Sequence, residues 1–157
     1  MVGPRQFVQH AESLVMCMLF GLPGFIQEAA ITALAMAGES ETKVRDYCAI
    51  RCKLLQHELR GIEAIRCCVP EAGMFMLIDV RGTGLTGRQF MHQLYRSEKV
   101  SVLDGGAFGE ETAGFVRVFF ATEESVLREA CARIRRFIAA RAAGSDVEGV
   151  SAVRILQ

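Results

Sequence analysis

The residue with the clearest chemical potential is Arg117, which interrupts the apolar segment GFVRVFFA at residues 114–121. The two-residue alternation of a strand places Arg117 on the same face as Phe115 and Phe119. An arginine keeps its charge, and burying that charge without a partner is costly, so the side chain needs an anion. One interpretation is a substrate carboxylate, bound by two parallel hydrogen bonds from the guanidinium. The alternatives are an internal ion pair and an edge strand from which the arginine reaches water.

A glycine-rich loop, DGGAFGEETAG at residues 104–114, precedes this predicted strand. Gly105, Gly106 and Gly109 allow the backbone to come close to a ligand or to a neighbouring strand. The loop is not a phosphate-binding motif, because it contains neither GxGxxG nor GK[ST] after a strand. Phe108 stands among these glycines, where it either caps a pocket or packs against the protein.

The six cysteines and three histidines do not predict a metal site. No two cysteines have the CxxC spacing, and the histidines form no HxxxH group. Cys48 and Cys52 share one face of a predicted helix, but a metal would need two further ligands. Reduced, buried thiols in a cytoplasmic protein explain the cysteines better than a metal or a disulfide framework. We therefore assign no metal ligand.

Hydrophobic periodicity predicts three helices followed by a mixed unit. Apolar residues recur at helical spacing in three segments before residue 61, and these are separated by glycine and proline. Apolar runs then alternate with helical patterns in the order β-β-α-β-β-α, with Thr86 and Thr122 as the predicted helix caps. The expected fold class is α+β: N-terminal helices followed by a small, mostly antiparallel β-β-α-β-β-α sandwich with its helices on one face.

The charge balance excludes some classes of partner. The chain has 18 lysines and arginines and 18 aspartates and glutamates. It therefore has no excess of positive charge that would indicate binding to nucleic acid or to an anionic membrane. The longest apolar run, residues 14–26, is broken by glycine and proline and is shorter than the roughly 20 residues that span a bilayer. The N-terminal residues do not have the pattern of a signal peptide. We expect a cytoplasmic protein without nucleic-acid or membrane partners.

Several segments, in chain order, resemble the C-terminal part of the class I/II aminotransferases, which are pyridoxal-phosphate enzymes of fold type I. The resemblance points to the aspartate or arginine–pyruvate aminotransferase subgroup. The segments are LPGFIQEAAITAL (22–34), PEAGMFMLIDV (70–80), VSVLDGGAFGE (100–110), GFVRVFFA (114–121) and LREACARIRRFI (127–138).

The resemblance implies roles for single residues. Arg117 matches the family arginine that binds the α-carboxylate of the amino-acid substrate. Phe20 lies in a segment that the family places near the partner subunit's active site, so it is expected to contact substrate, with core packing as the alternative. Phe108, in the matching loop, is also expected to contact substrate. Asp104 stands where the family commonly has proline, and its charge would favour a cationic substrate such as arginine.

The resemblance also implies groups that do not match any position here. The family lysine that forms the Schiff base with pyridoxal 5'-phosphate would precede Gly3. Lys43, Lys53 and Lys99 do not match that lysine. The sequence therefore predicts no catalytic and no cofactor-binding residue, and we expect no cofactor bound to this chain.

These expectations describe a C-terminal fragment of a larger enzyme. Residues 1–38 are predicted to be a remnant of the large cofactor domain, 39–61 a linking helix, 62–144 the small C-terminal domain and 145–157 a tail. The parent would be a homodimer that transfers an amino group from an α-amino acid to a 2-oxo acid, and the fragment alone would be inactive. The alternatives are a stand-alone carboxylate-binding or regulatory module and a structural interaction domain.

Overall fold

A computed structural model describes residues 3–19, 21–36 and 38–144. The chain forms two compact units, divided between Val44 and Arg45. The first unit consists of helices α1 (Arg5–Leu19) and α2 (Gly24–Ala35) and the first residues of α3 (Glu39–Glu58). Neither α1 nor α2 contains a buried residue, so the apolar side chains of both helices are left largely exposed. Among the described residues, no helix is long and apolar enough to cross a membrane.

The second unit is an antiparallel sheet with helices. The strands lie in the order β1-β2-β4-β3, and every neighbouring pair is antiparallel. This arrangement confirms the predicted α+β class and the β-β-α-β-β-α order. The elements that follow α3 are β1 (Arg66–Cys68), β2 (Phe75–Asp79), α4 (Gly87–Glu98), β3 (Leu103–Asp104), β4 (Phe115–Phe119) and α5 (Glu124–Ala142).

One face of the sheet is buried under the helices of this unit. Met76 and Ile78 of β2 and Val116 and Val118 of β4 are buried on that face. They belong to one core with apolar residues of α4, α5 and the last turns of α3. Because side chains alternate along a strand, the residues between them lie on the opposite, open face of the sheet. Arg117 is one of those residues.

The helix that follows β2 begins where the sequence predicts. The Thr86 hydroxyl accepts a hydrogen bond from the Gln89 backbone N–H, and the Gln89 side chain accepts one from the Thr86 backbone N–H. This reciprocal pair satisfies two of the backbone donors that a helix start leaves without partners. The predicted cap at Thr86 is therefore confirmed.

The prediction for Thr122 is wrong. Glu123 precedes the first residue of α5, and no side chain caps that helix. The Thr122 carbonyl instead accepts hydrogen bonds from the Tyr47 hydroxyl at 2.7 Å and from Arg51 Nε at 3.0 Å. These bonds connect the middle of α3 to the start of α5. The apolar residues at 100–103 also predict the third strand, but β3 is shorter and begins later, at Leu103–Asp104.

Candidate anion site on the open face of the sheet

Arg117 lies at the centre of the sheet. Its cross-strand partner on β2 is Leu77, and its partner on β3 is Leu103. Since β4 is hydrogen-bonded to a strand on each side, the interpretation of Arg117 as an edge-strand residue is wrong. The side chain is half-buried on the open face.

Two phenylalanine rings hold the guanidinium. The Cζ atom of Arg117 lies 4.3 Å from the ring centroid of Phe75 and 4.0 Å from that of Phe108. Contacts of this length are favourable, because the ring faces are electron-rich and the guanidinium is a flat, weakly hydrated cation. We call the two rings and the guanidinium between them the aromatic clamp.

The guanidinium of the clamp has no anion. Within the described ranges, Arg117 takes part in no ion pair or hydrogen bond, and its Nε atom is buried without a hydrogen-bond partner. An unpaired buried N–H is expensive, and native structures rarely leave one without a reason. The alternative of an internal ion pair therefore finds no support in the part of the chain that the structure describes.

The nearest carboxylate on this face of β2 is already bound elsewhere. Asp79 accepts hydrogen bonds from Arg81 Nε at 2.9 Å and from Arg81 Nη2 at 2.6 Å. A second arginine, Arg66, lies 3.6 Å from the same carboxylate. The hydrogen bonds from Arg81 lower the pKa of Asp79 to about 2, so the group is ionised but committed to its own partners.

The glycine-rich loop holds Phe108 in place through its backbone. Residues Gly105–Phe108 form a short 3₁₀ turn, and the Asp104 carboxylate accepts a hydrogen bond from Gly106 N at 3.2 Å. The Thr112 hydroxyl lies 2.7 Å from the Gly105 carbonyl oxygen, to which it donates. A Cβ at Gly105 would lie 2.5 Å from the Thr112 carbonyl oxygen, so this position requires glycine.

The structure brings two of the three predicted substrate-binding residues together. Arg117 and Phe108 are in contact. Phe20 lies outside the described residues, so its role stays a prediction. The sequence did not identify Phe75, because its segment is apolar at nearly every position and shows no alternation that would assign faces.

The hypothesis that Asp104 selects a cationic substrate is not supported. Asp104 pairs with Val116 of β4, whose side chain is buried on the helix side of the sheet. Its carboxylate bonds to the loop backbone and lies against the start of α4 at Gly87. The side chain of Asp104 is thus used to shape the loop.

A groove beside α5 does not contain the clamp. It has a volume of about 560 Å³ and lies beside α5, with Val118, Ala130 and Ile134 among its lining residues. Arg117, Phe75 and Phe108 are not among the residues that line this groove. An unpaired cation is stronger evidence for an anion site than a wide apolar depression, so we place the candidate site at the clamp.

The described residues supply neither a metal site nor a Schiff-base lysine at the clamp. No group of three or more potential metal ligands comes together in the described parts of the chain. None of the four described strands contains a lysine; Lys53 belongs to α3, and Lys99 follows α4 and donates to the Arg96 carbonyl oxygen. The described residues around Arg117 can therefore bind a carboxylate, but they include no lysine that could form a Schiff base with pyridoxal phosphate.

Comparison with known proteins shows which proteins this chain resembles. A search with models of protein families found no match. The chain is 40% identical over 133 residues to the arginine–pyruvate transaminase AruH of Pseudomonas aeruginosa, a match that covers 85% of this chain and 34% of that protein. It is 29% identical over 139 residues to an aspartate aminotransferase of Pyrococcus horikoshii, covering 86% and 35%. The chain is related to the aminotransferases.

Solved structures agree with this relationship. An aromatic aminotransferase from Pyrococcus horikoshii superposes with a TM-score of 0.59 at 29% identity, over 62% of this chain and 26% of that one. A pyridoxal-phosphate-bound putative aminotransferase from Clostridium difficile shares the fold, with a TM-score of 0.52 at 23% identity over 65% and 27%. The chain spans about a third of the length of the curated aminotransferases it matches.

Proposed function

We propose that this chain is the C-terminal part of an aminotransferase that transfers an amino group from an α-amino acid to a 2-oxo acid. In this proposal the sheet unit is the small domain, residues 39–61 link it to a cofactor domain, and residues 1–38 are a remnant of that domain. The parent is a cytoplasmic homodimer, and the chain alone is inactive.

The observation that carries the proposal is the unpaired guanidinium of Arg117. A half-buried cation at the centre of a sheet, with no anion among the described residues and with two Nη atoms that are not buried, requires an external partner. Both substrates of an aminotransferase contain a carboxylate, and a guanidinium binds that group through two parallel hydrogen bonds. We assign this binding to Arg117, with Phe108 beside the bound substrate and Phe20 as a further candidate contact.

The cofactor of the parent would be pyridoxal 5'-phosphate, whose ring acts as an electron sink during the reaction when it is bound. The described residues at the clamp offer no lysine to hold it, so we assign no cofactor-binding and no catalytic residue in this chain. What Arg117 contributes is orientation: a fixed carboxylate fixes the α-carbon beside it.

The amino donor is proposed from the relatives. One is named for arginine and pyruvate and another for aspartate, so these amino acids are the first donors to test. All these candidates share the α-carboxylate that Arg117 would bind. The clamp itself does not distinguish between their side chains.

The first experiment tests whether this chain has cofactor chemistry of its own. The purified chain is mixed with pyridoxal phosphate, reduced with borohydride, digested and analysed by mass spectrometry. We expect no stoichiometric phosphopyridoxyl adduct at Lys43, Lys53 or Lys99, and no transamination of arginine or aspartate with pyruvate. A single lysine that is modified stoichiometrically, with activity that depends on it, would contradict the proposal.

The second experiment tests the role of Arg117 in the protein that the complete reading frame encodes. Replacing Arg117 with lysine keeps the charge and removes the second parallel hydrogen bond, so we expect kcat/KM to fall by about tenfold or more. Arg66→Lys, which alters an exposed arginine on the same sheet face, is the control and should leave kcat/KM within about twofold. Equal losses in the two variants would count against a carboxylate site at Arg117.

A further inference from the structure

The two rings of the clamp restrict the directions from which a ligand can reach Arg117. Phe75 forms a ring pair with Phe119 at 5.6 Å, whereas Phe108 forms no ring pair among the described residues. Since each clamp ring lies about 4 Å from Cζ but the two rings do not meet, the guanidinium lies between them. The two rings therefore lie on different sides of the guanidinium.

The nitrogen atoms of the guanidinium differ in how accessible they are to a ligand. The Nε atom is buried, whereas the two Nη atoms are without partners but not buried. A ligand therefore approaches the outer edge, in the plane of the guanidinium and between the rings. Phe108 is 54% exposed, so one wall of this slot is formed by a ring that is open to solvent on its far side.

We propose that the clamp selects the geometry of the anion: it admits a planar carboxylate and disfavours a tetrahedral oxyanion. A carboxylate places both oxygens in the guanidinium plane and accepts two hydrogen bonds without leaving that plane. A sulfonate or phosphonate carries at least one more oxygen out of the plane, where it meets the face of Phe75 or Phe108. The electron-rich ring face repels that oxygen and deprives it of water.

This inference rests on the proposed function in one respect, that the ligand of Arg117 is an anion from the substrate. It goes further by naming Phe75 and Phe108 as specificity-determining residues. Substrates with an α-carboxylate are then accepted, and their sulfonate and phosphonate analogues are excluded by shape, although their charge is suitable.

The experiment uses this chain labelled with nitrogen-15 and two monoanions of similar size, propionate and ethanesulfonate. The Arg117 Nε–H resonance is assigned by its absence in Arg117→Lys, and each anion is titrated at constant ionic strength. We expect propionate to shift this resonance saturably and ethanesulfonate to bind at least about tenfold more weakly, the effect of one lost charge-assisted hydrogen bond.

Variants separate the role of the rings from the role of charge. Phe108→Ala opens one wall of the slot. It should reduce the preference for propionate over ethanesulfonate to less than about threefold, because the tetrahedral anion then fits. Phe75→Leu opens the other wall and should act in the same direction. Phe115→Leu is the matched control, because the Phe115 ring lies 5.3 Å from the guanidinium carbon of Arg81 and not against Arg117; it should keep the preference.

The outcomes distinguish this inference from the proposed function. If both anions bind wild type equally, or if the preference survives Phe108→Ala and Phe75→Leu, shape selection is wrong while carboxylate binding stands. If propionate never perturbs Arg117, carboxylate binding by this chain is wrong, and the inference fails with it.

Discussion

The guanidinium carbon of Arg117 lies 4.0 Å from the ring centroid of Phe108, although one residue belongs to a strand and the other to a loop. The contact fixes the side chain of Arg117 before any ligand is present. A long arginine side chain that is already ordered loses less entropy on binding, so the clamp favours tighter anion binding.

The unpaired state of Arg117 predicts that its loss has little effect on stability. Replacement by methionine removes two cation–π contacts of about 0.5–1 kcal/mol each, but it also removes a buried unpaired N–H that costs about 1–3 kcal/mol. We expect the free energy of unfolding in urea to change by no more than about 1 kcal/mol. Arg51→Met is the control, because Arg51 donates to the Thr122 carbonyl and to Glu124, and its loss should cost clearly more. The reverse order would contradict this account.

The glycine-rich loop predicts a contrast between two adjacent glycines. A Cβ at Gly105 would lie 2.5 Å from one carbonyl oxygen and 2.8 Å from another, whereas a Cβ at Gly106 would lie 3.5 Å from its nearest atom, an oxygen of Asp104. We expect Gly105→Ala to lower the free energy of unfolding by about 1–3 kcal/mol and to displace Phe108 from Arg117. Gly106→Ala should leave both unchanged. The displacement is measured by the change in the ring-current shift of the Arg117 Nε–H resonance. The same change in Gly105→Ala and Gly106→Ala would contradict the constraint that the contacts of Gly105 predict.

The parts of the fold that depend on local pattern could be predicted from the sequence. Alternation in FVRVF assigns Arg117 to one face with Phe115 and Phe119, and the structure agrees. The cap at Thr86 follows from its own side chain and that of Gln89, three residues later. Both features are determined within a few residues, which is the range that periodicity and capping cover.

The aromatic clamp depends on register and on strand order, which local pattern does not determine. Leu77 pairs with Arg117, and this register brings Phe75, two residues earlier, within reach of the guanidinium. The sequence also left open whether β4 was an edge strand, because the position of β4 between β2 and β3 depends on tertiary packing and not on local sequence. The path of the loop that brings Phe108 to the same place is set by close contacts of glycine with distant backbone.

The Asp79–Arg81 pair predicts a defined dependence of stability on pH. Hydrogen bonds from Arg81 lower the pKa of Asp79 from 3.8 to about 2, so the pair stabilises the fold above about pH 4 and loses this contribution as the pH falls toward 2. Because the Arg81 side chain is 61% exposed, solvent screens the pair and limits the contribution to about 1 kcal/mol. Asp79→Asn should lower the free energy of unfolding by this amount near neutral pH and by only a small part of it near pH 2, as measured in urea at each pH. Glu63→Gln, which changes an exposed carboxylate, is the control. If Asp79→Asn lowered the free energy of unfolding by the same amount at pH 2 as at neutral pH, the Asp79–Arg81 pair would not be the cause.

The cysteines predict an order of reactivity that reports on the packing of the core. Cys131 is fully buried, and burial raises its pKa from 9.0 to about 12, which cuts its thiolate fraction at about pH 8 by about a thousandfold. Burial also raises the pKa of Cys67, whereas Cys17 is exposed. Iodoacetamide should therefore modify Cys17 first, Cys67 later and Cys131 last, as measured by mass spectrometry of peptides at timed intervals. Urea should make the three rates similar, because exposure removes the cause of the difference. Modification of Cys131 as fast as Cys17 in the native state would mean that the core between the sheet and α5 opens far more readily than its packing indicates.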